Sequence, residues 1–229
     1  MKQVTIIIPV KDEEEGLLFL IDDLRSSELY KDSSIQLLLV IDGRTSDNSR
    51  TVARKLAPVI IDQEETHGKG AAIRQAIEEW KNNPTPFVVL LDADGSYSFD
   101  AVVDVISELK KGTDAVSGSR FILPEGRPKG MSRLHNAGNK ILSFISSIRN
   151  RRKISDLCTG LWGFNSKVLL GIEIESHGFD LEAELAGKMR RGGFVHKEIA
   201  VKWSQRKGGK SKLRSIRDGF IILIRIIRT

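Results

Sequence analysis

Cysteine is almost missing from this chain: Cys158 is the single thiol in 229 residues. No intramolecular disulfide framework can form, so the core must carry the fold, which suits a reducing cytoplasm. Two tyrosines and three tryptophans are too few and scattered to build the stacking platform that single-stranded nucleic acid requires. Long apolar runs are absent as well. The first, 4–10, is too short for a secretory signal and lacks a small-residue cleavage site. The last, 220–227, is broken by Arg225 and falls far below the ~20 residues that span a bilayer. Two phosphate-binding patterns are missing too. G-x-x-x-x-G-K-[ST] occurs nowhere, which excludes a Walker nucleotidase, and no G-x-G-x-x-G follows the first apolar run, which argues against a dinucleotide dehydrogenase. His67, His135, His177 and His196 show no metal-ligand spacing and read as surface or hydrogen-bonded residues. No internal repeat or low-complexity tract interrupts the chain.

What is present is one domain's worth of alternating strand and helix signals, with no linker. The β-branched run VTIIIPV at 4–10, then IQLLLVI at 35–41 and FVVLL at 87–91, read as strands buried on both faces of a parallel sheet. Between them, 12–27, 46–56 and 70–80 carry helical periodicity, with Asp47 or Ser46 capping the second helix. Short strands are expected at 59–61 and 115–117, with a helix at 101–110. Such alternation predicts an α/β fold, a Rossmann-like, mostly parallel sheet covered by helices. Further on, 121–132 reads as a lid-like loop, 134–148 as an amphipathic helix, 162–164 and 195–201 as strands around a helix at 180–190, and 205–212 as a basic loop. An amphipathic helix at 214–228 follows, its isoleucines interspersed with arginines. The net charge of +6 gathers in 127–153 and 202–228, which points to an anionic partner for the second half. The apolar stripes of 134–148 and 214–228, flanked by arginine, suit a membrane interface or packing on the core.

In parallel sheets ligands bind beyond the carboxyl ends of the strands. Three of those ends carry charged groups: Lys11 with Glu13, Asp42, and Asp92-Ala-Asp94. Two carboxylates one residue apart at a strand end, with Gly95 freeing the backbone, suit Mg²⁺ or Mn²⁺, ions that share their coordination with substrate phosphates. Asp42 can accept hydrogen bonds from a base or ribose. Gly68-Lys69-Gly70 opens a helix and so offers an anion site.

Together these segments resemble the family 2 glycosyltransferases of the GT-A fold, especially the polyprenyl-phosphate (dolichyl-phosphate) sugar synthases. The motifs are IIIPVKDEE, VIDGRTSDNS, GKGAAIRQA, LLDADGSYS, GSRF at 118–121, SRLHNAGNK at 132–140, DLCTGLWGF at 156–164, GFDLEAEL at 178–185 and RKGGKSKL at 206–213. They span 4 to about 213 in the family's order. The resemblance implies a GT-A catalytic domain over 1–213, with a nucleotide-sugar half (1–117) and an acceptor half (118–213), followed by a terminal amphipathic helix (214–229). It implies that Pro9, Lys11, Glu13, Asp42 and Lys69 hold the donor, that Asp92 and Asp94 hold Mg²⁺ or Mn²⁺ and the diphosphate, and that Arg206 and Lys212 close over the phosphates. Arg120 and Arg133 would grip an acceptor phosphate, and Asp180, Glu182 and Glu184 would shape the sugar pocket. Asp156 or Glu182 would serve as base if the acceptor were a hydroxyl, although Asp156 also fits a cap. Two positions depart from the family: Ile41 where an acidic residue is common, and Ser96 where a glutamine ligand is common. The expected activity is metal-dependent inverting transfer of a hexose from a UDP- or GDP-sugar to a polyprenyl phosphate, by a protein peripheral on the cytoplasmic face of a membrane. A soluble or glycan hydroxyl acceptor, a sugar nucleotidyltransferase, and a basic lipid- or nucleic-acid-binding module are the alternatives.

Overall fold

A computed structural model describes residues 2–57, 59–63, 67–123, 128–208 and 215–229. Its sheet has seven strands in the order β3-β2-β1-β4-β6-β5-β7. β1 (Val4–Val10) lies between β2 (Ile35–Asp42) and β4 (Phe87–Leu90), parallel to both. Its side chains alternate between the two faces. Ile6, Ile8 and Val10 join one core and Ile7 the other, so the strand needs apolar residues at nearly every position. α1 (Glu14–Ser26), α2 (Ser49–Leu56) and α4 (Phe99–Lys110) cover the first face. α3 (Lys69–Lys81), α6 (Ser166–Gly171), α7 (Leu181–Arg191) and α8 (Ser215–Arg228) cover the second. β3 (Val59–Gln63) closes one edge beside β2.

The other half of the sheet is mixed. β6 (Trp162–Asn165) runs antiparallel to β4 and to β5 (Ala115–Ser119), while β7 (His196–Ala200) pairs parallel with β5 at the far edge. Between β5 and β6 the chain makes α5 (Arg133–Asn150). The sequence signals find nearly every element but blur their ends. α2 begins at Ser49 rather than 46, because 46–48 is tied to the start of α1: Asp12 accepts from Ser46 N–H at 2.7 Å, and Asp47 from Glu14 N–H at 3.1 Å. A 3-10 turn at Glu28–Lys31 and the short α6 carry too few residues for a periodic signal.

The apolar stripe of α5 divides in two. Leu142 and Ile145 pack on the core, whereas Leu134, Ile141, Phe144 and Ile148 are each at least 60% exposed. α8 does the same: Ile222 and Ile226 are buried, while Ile216, Phe220 and Ile227 face outward. Both helices therefore pack on the domain and also present apolar surface. Among the described residues no helix is long and apolar enough to cross a membrane.

Candidate active site

The loops after β1, β2 and β4 converge on a cavity of about 720 Å³. Pro9, Lys11, Glu13, Asp42, Lys69, Asp92 and Asp94 line one end; Glu182 and Arg206 reach the same end from the second half of the chain. Arg120, Ser132, His135, Asn139 and Leu142 line the other.

Asp92 and Asp94 each meet a cation. Lys69, the second residue of Gly68-Lys69-Gly70, bridges Asp92 Oδ1 at 2.7 Å and Glu182 Oε1 at 2.6 Å. Burial opposes its charge, but the two carboxylates outweigh that and raise its pKa, so Lys69 stays protonated. Asp94 receives Arg206 Nη2 at 3.0 Å, while Arg206 Nη1 lies 2.7 Å from Glu13 Oε1. Backbone bonds lay the 201–208 segment across this turn: Ser204 N–H to Ser96 O at 3.0 Å and Lys207 N–H to Asp94 O at 3.0 Å. Ser96 uses its own N–H on Asp94 Oδ1 at 2.9 Å. Two glycines make the close packing possible. A Cβ on Gly16 would sit 2.2 Å from Ala93 O, and one on Gly160 would sit 1.9 Å from Asp92 Oδ2. The Gly160 turn is pinned by Tyr97, whose buried hydroxyl accepts from Gly160 N–H at 3.3 Å and lies 3.1 Å from Thr159 Oγ1. Sequence reasoning passed over Tyr97 and Gly160 because neither carries charge.

Asp42 ends β2 amid donors. Burial pushes its carboxyl up, but hydrogen bonds from the Arg44 side chain and backbone, with Lys11 beside them, hold it at about 2. It is therefore an anion facing the cavity, suited to a base or ribose donor.

At the opposite end Arg120 forms a two-pronged pair with Asp156, Nε to Oδ2 at 2.6 Å and Nη2 to Oδ1 at 2.7 Å. Nη2 also donates to Cys158 O at 2.8 Å. Nη1 makes no hydrogen bond among the described residues, so that edge of the guanidinium remains for a ligand. Asp156 is 1% exposed and also accepts from Asn139 at 2.8 Å; it stands behind Arg120 and outside the lining, so the group considered as a base is a holder of the arginine. Burial pushes the Cys158 thiol up to about 12, which keeps it protonated and unreactive. Ser132 caps α5 by accepting His135 N–H at 3.1 Å, and this positive helix end faces the same cavity.

Several expected residues lie elsewhere. Arg133 is exposed and outside the lining, because the first turn of α5 points it to solvent. Asp180 binds Ser176 Oγ at 2.6 Å and Arg225 Nε at 2.7 Å, fastening α8. Glu184 is fully buried, accepting Glu175 and Ser176 N–H and pairing with Lys188 at 2.7 Å. Of the three acidic residues assigned to a sugar pocket, Glu182 alone lines the cavity. Lys212 and part of each expected loop (124–127, 209–212) lie outside the described residues.

A cavity of opposed carboxylates and cations at the strand ends of an α/β sheet is shared by several enzyme classes, so the motif order has to decide between them. The family model described as glycosyl transferase family 2 matches residues 5–171. This chain is a family 2 glycosyltransferase. The assignment sets aside the nucleotidyltransferase and the non-enzymatic binding module. The transferase is similar to glycosyltransferase AglJ of Haloferax volcanii, 30% identical over 226 residues that cover 98% of this chain and 71% of that protein. It is also similar to polyprenol monophosphomannose synthase of Mycolicibacterium smegmatis, 23% identical over 93% of this chain and 81% of that one. In fold it resembles glucosyl-3-phosphoglycerate synthase from Mycobacterium tuberculosis, solved with Mn²⁺, uridine diphosphate and glucosyl-3-phosphoglycerate, with a TM-score of 0.72, 14% identity, and 99% and 79% of the two chains covered. The architecture is thus the GT-A fold expected.

The transferase's residues fit a divalent ion of the Mg²⁺ or Mn²⁺ kind. No group of three or more His, Cys, Asp or Glu suited to a metal occurs among the described residues. Asp92 and Asp94 therefore offer a partial oxygen set, which leaves coordination to be completed by phosphate and water, as these ions favour. The cations drawn onto both carboxylates, Lys69 and Arg206, mark where positive charge is stabilised.

Proposed function

We propose that the transferase moves a hexose from a nucleoside diphosphate sugar to a polyprenyl phosphate at a membrane surface, with inversion. The observation that carries this reading is the contrast between the two ends of the cavity. Carboxylates paired with Lys69 and Arg206 line one end. At the other, a fixed arginine and a helix N-terminus stand beside Leu134, Leu142 and Ile222, next to the exposed apolar faces of α5 and α8. A phosphate head on an apolar chain matches that second end.

Asp42 and Lys11 would bind the nucleoside, and Asp92 and Asp94 would hold Mg²⁺ or Mn²⁺, which neutralises charge on the diphosphate leaving group. Arg206 and Lys69 add fixed positive charge at the same end. Glu182, beside Lys69, would accept from the sugar's hydroxyls. Arg120 would present Nη1 to the acceptor phosphate and aim its oxygen at the anomeric carbon, opposite the leaving group. A phosphate oxygen is already ionised at neutral pH, so this end needs orientation rather than a base. Arg149 and Arg228, next in the chain to the exposed Ile148 and Ile227, favour an anionic lipid surface.

The solved relative bound to glucosyl-3-phosphoglycerate favours a second reading, a soluble hydroxyl acceptor. Burial holds the Glu182 carboxyl above its ordinary range, as a general base requires. Incubation with UDP- and GDP-sugars, Mn²⁺ and short polyprenyl phosphates separates the two. Sugar entering the organic phase, abolished by EDTA, is expected. Transfer to soluble acceptors alone would overturn the lipid-phosphate reading, and transfer persisting in excess EDTA would overturn the metal assignment.

A further inference from the structure

Arg120 and Asp156 sit on segments that have little regular structure of their own. Asp156 lies in the irregular stretch 151–161 between α5 and β6, and Arg120 just beyond the end of β5. Backbone donors in such stretches need partners outside a strand ladder or helix. Glu198, in the middle of the edge strand β7, supplies them for 155–156. Its carboxylate accepts Ser155 N–H at 3.0 and 2.8 Å on its two oxygens, Asp156 N–H at 3.1 Å and the Ser155 hydroxyl at 2.8 Å. The Ser155 hydroxyl in turn lies 2.7 Å from that of Ser119, the residue before Arg120, and Ser119 Oγ accepts Phe121 N–H at 3.2 Å. One carboxylate thus holds the backbone that carries Asp156 and, through two hydroxyls, the backbone on both sides of Arg120.

Glu198 does not line the cavity, so it cannot touch either substrate. Every group it meets in that stretch is a donor. Only an ionised carboxylate, an acceptor on both oxygens, satisfies them all; an amide would turn a donor toward donors. A bond at 2.6 Å between Arg120 and Asp156 transmits any shift of the 155–156 backbone directly to the guanidinium, since a buried two-pronged pair cannot slide without breaking.

We propose that Glu198 is a positioning residue for the acceptor end, setting the place of Arg120 through Ser155 and Asp156 without contacting substrate. This rests on the reading of Arg120 as the acceptor-phosphate ligand. A merely structural carboxylate would lower stability and leave the kinetic constants for both substrates together. A positioning carboxylate separates them.

The test is steady-state kinetics on Glu198→Gln, Ser155→Ala, Arg120→Lys and the Glu198→Gln/Arg120→Lys double variant, with UDP and GDP binding in Mn²⁺ followed by calorimetry. Glu198→Gln should raise the acceptor KM about tenfold, the order by which loss of an orienting contact weakens the group it orients. Nucleotide binding should stay within about twofold of the parent, and Ser155→Ala should act in the same direction, about two- to threefold. In the double variant the Glu198→Gln effect should largely vanish, because it acts only through the arginine. An unchanged acceptor KM in Glu198→Gln, or effects that multiply in the double variant, would overturn the proposal. If Glu198→Gln does not fold, Ser155→Ala, which removes one of the four bonds to Glu198 and the link to Ser119, decides in the same way. An acceptor KM unchanged in Arg120→Lys is a different failure: it would remove Arg120 from the acceptor site, and Glu198's role with it.

Discussion

At the end of the cavity proposed for the donor, Lys69 and Arg206 rest on carboxylates contributed by distant parts of the chain, and Arg206 sits on a segment laid over the surface. At the acceptor end Arg120 is clamped by Asp156, whose side chain has no exposure and whose remaining capacity is used by Asn139 and Arg120 N–H. The difference matches what each end would have to do under the proposed function. A cation that has to pass from a carboxylate to an incoming diphosphate needs a pair that can be exchanged. A cation that has to fix one oxygen in line with a breaking bond needs a pair that cannot.

The contrast breaks most sharply under removal of the two arginines. Arg120→Gln leaves Asp156, whose side chain has no exposure, without its counter-charge and should lower unfolding free energy by about 3–5 kcal/mol, whereas Arg206→Gln, at a more exposed guanidinium, should cost less. Denaturant unfolding of both variants checks this; equal losses would erase the distinction between exchangeable and fixed cations. Next in size is Asp94→Ala, for which kcat/KM should fall about 100-fold or more, the order seen when an electrostatic contact to developing charge is removed. Its unfolding midpoint should change little, and turnover at the parent rate would empty the donor end of its assigned role.

The smallest effect concerns acid. His196, stacked on Trp162 at 4.9 Å and 2.9 Å from Ser117 Oγ, is pushed by burial and then by the charge of Arg152 down to about 3. Its ordinary pKa is about 6.5. Between those values the unfolded chain binds a proton that the folded chain does not, so stability falls as pH drops from 6.5 toward 3. Urea midpoints at pH 7.5 and 5.5 should therefore differ less in His196→Gln than in the parent. An identical pH slope would show that acid reaches β7 by another route.

Much of this was readable in one dimension. The near-continuous apolar runs of β1, β2 and β4 announce a sheet covered on both faces, and Asp42 and Asp92 stand where the second and third of them end. The acidic helix-start 180–184 shows the limit and also a missed clue. Glu182 and Glu184, two apart on α7, point to different sides, and of the three acidic residues only Glu182 lines the cavity. The bridge from Lys69 to Asp92 and Glu182 was out of reach, because it joins residues 113 positions apart through packing that no local pattern encodes. Glu198 was hidden for the same reason: on a half-exposed edge strand it looks like any solvated glutamate until the 155–156 backbone is seen against it.

The crossing of the 201–208 segment over Asp94 has a consequence for the order in which the protein is made. Asp42 leaves the ribosome at the end of β2 and Asp92 and Asp94 just after β4, the two strands that flank β1, while Glu182 and Arg206 follow about a hundred residues after the second pair. Until they emerge, the nascent sheet holds a rim of carboxylates with Arg120 and α5 already made but no strap across it. A chain cut short before Arg206 therefore carries Asp42, Asp92 and Asp94 without the segment that closes over them.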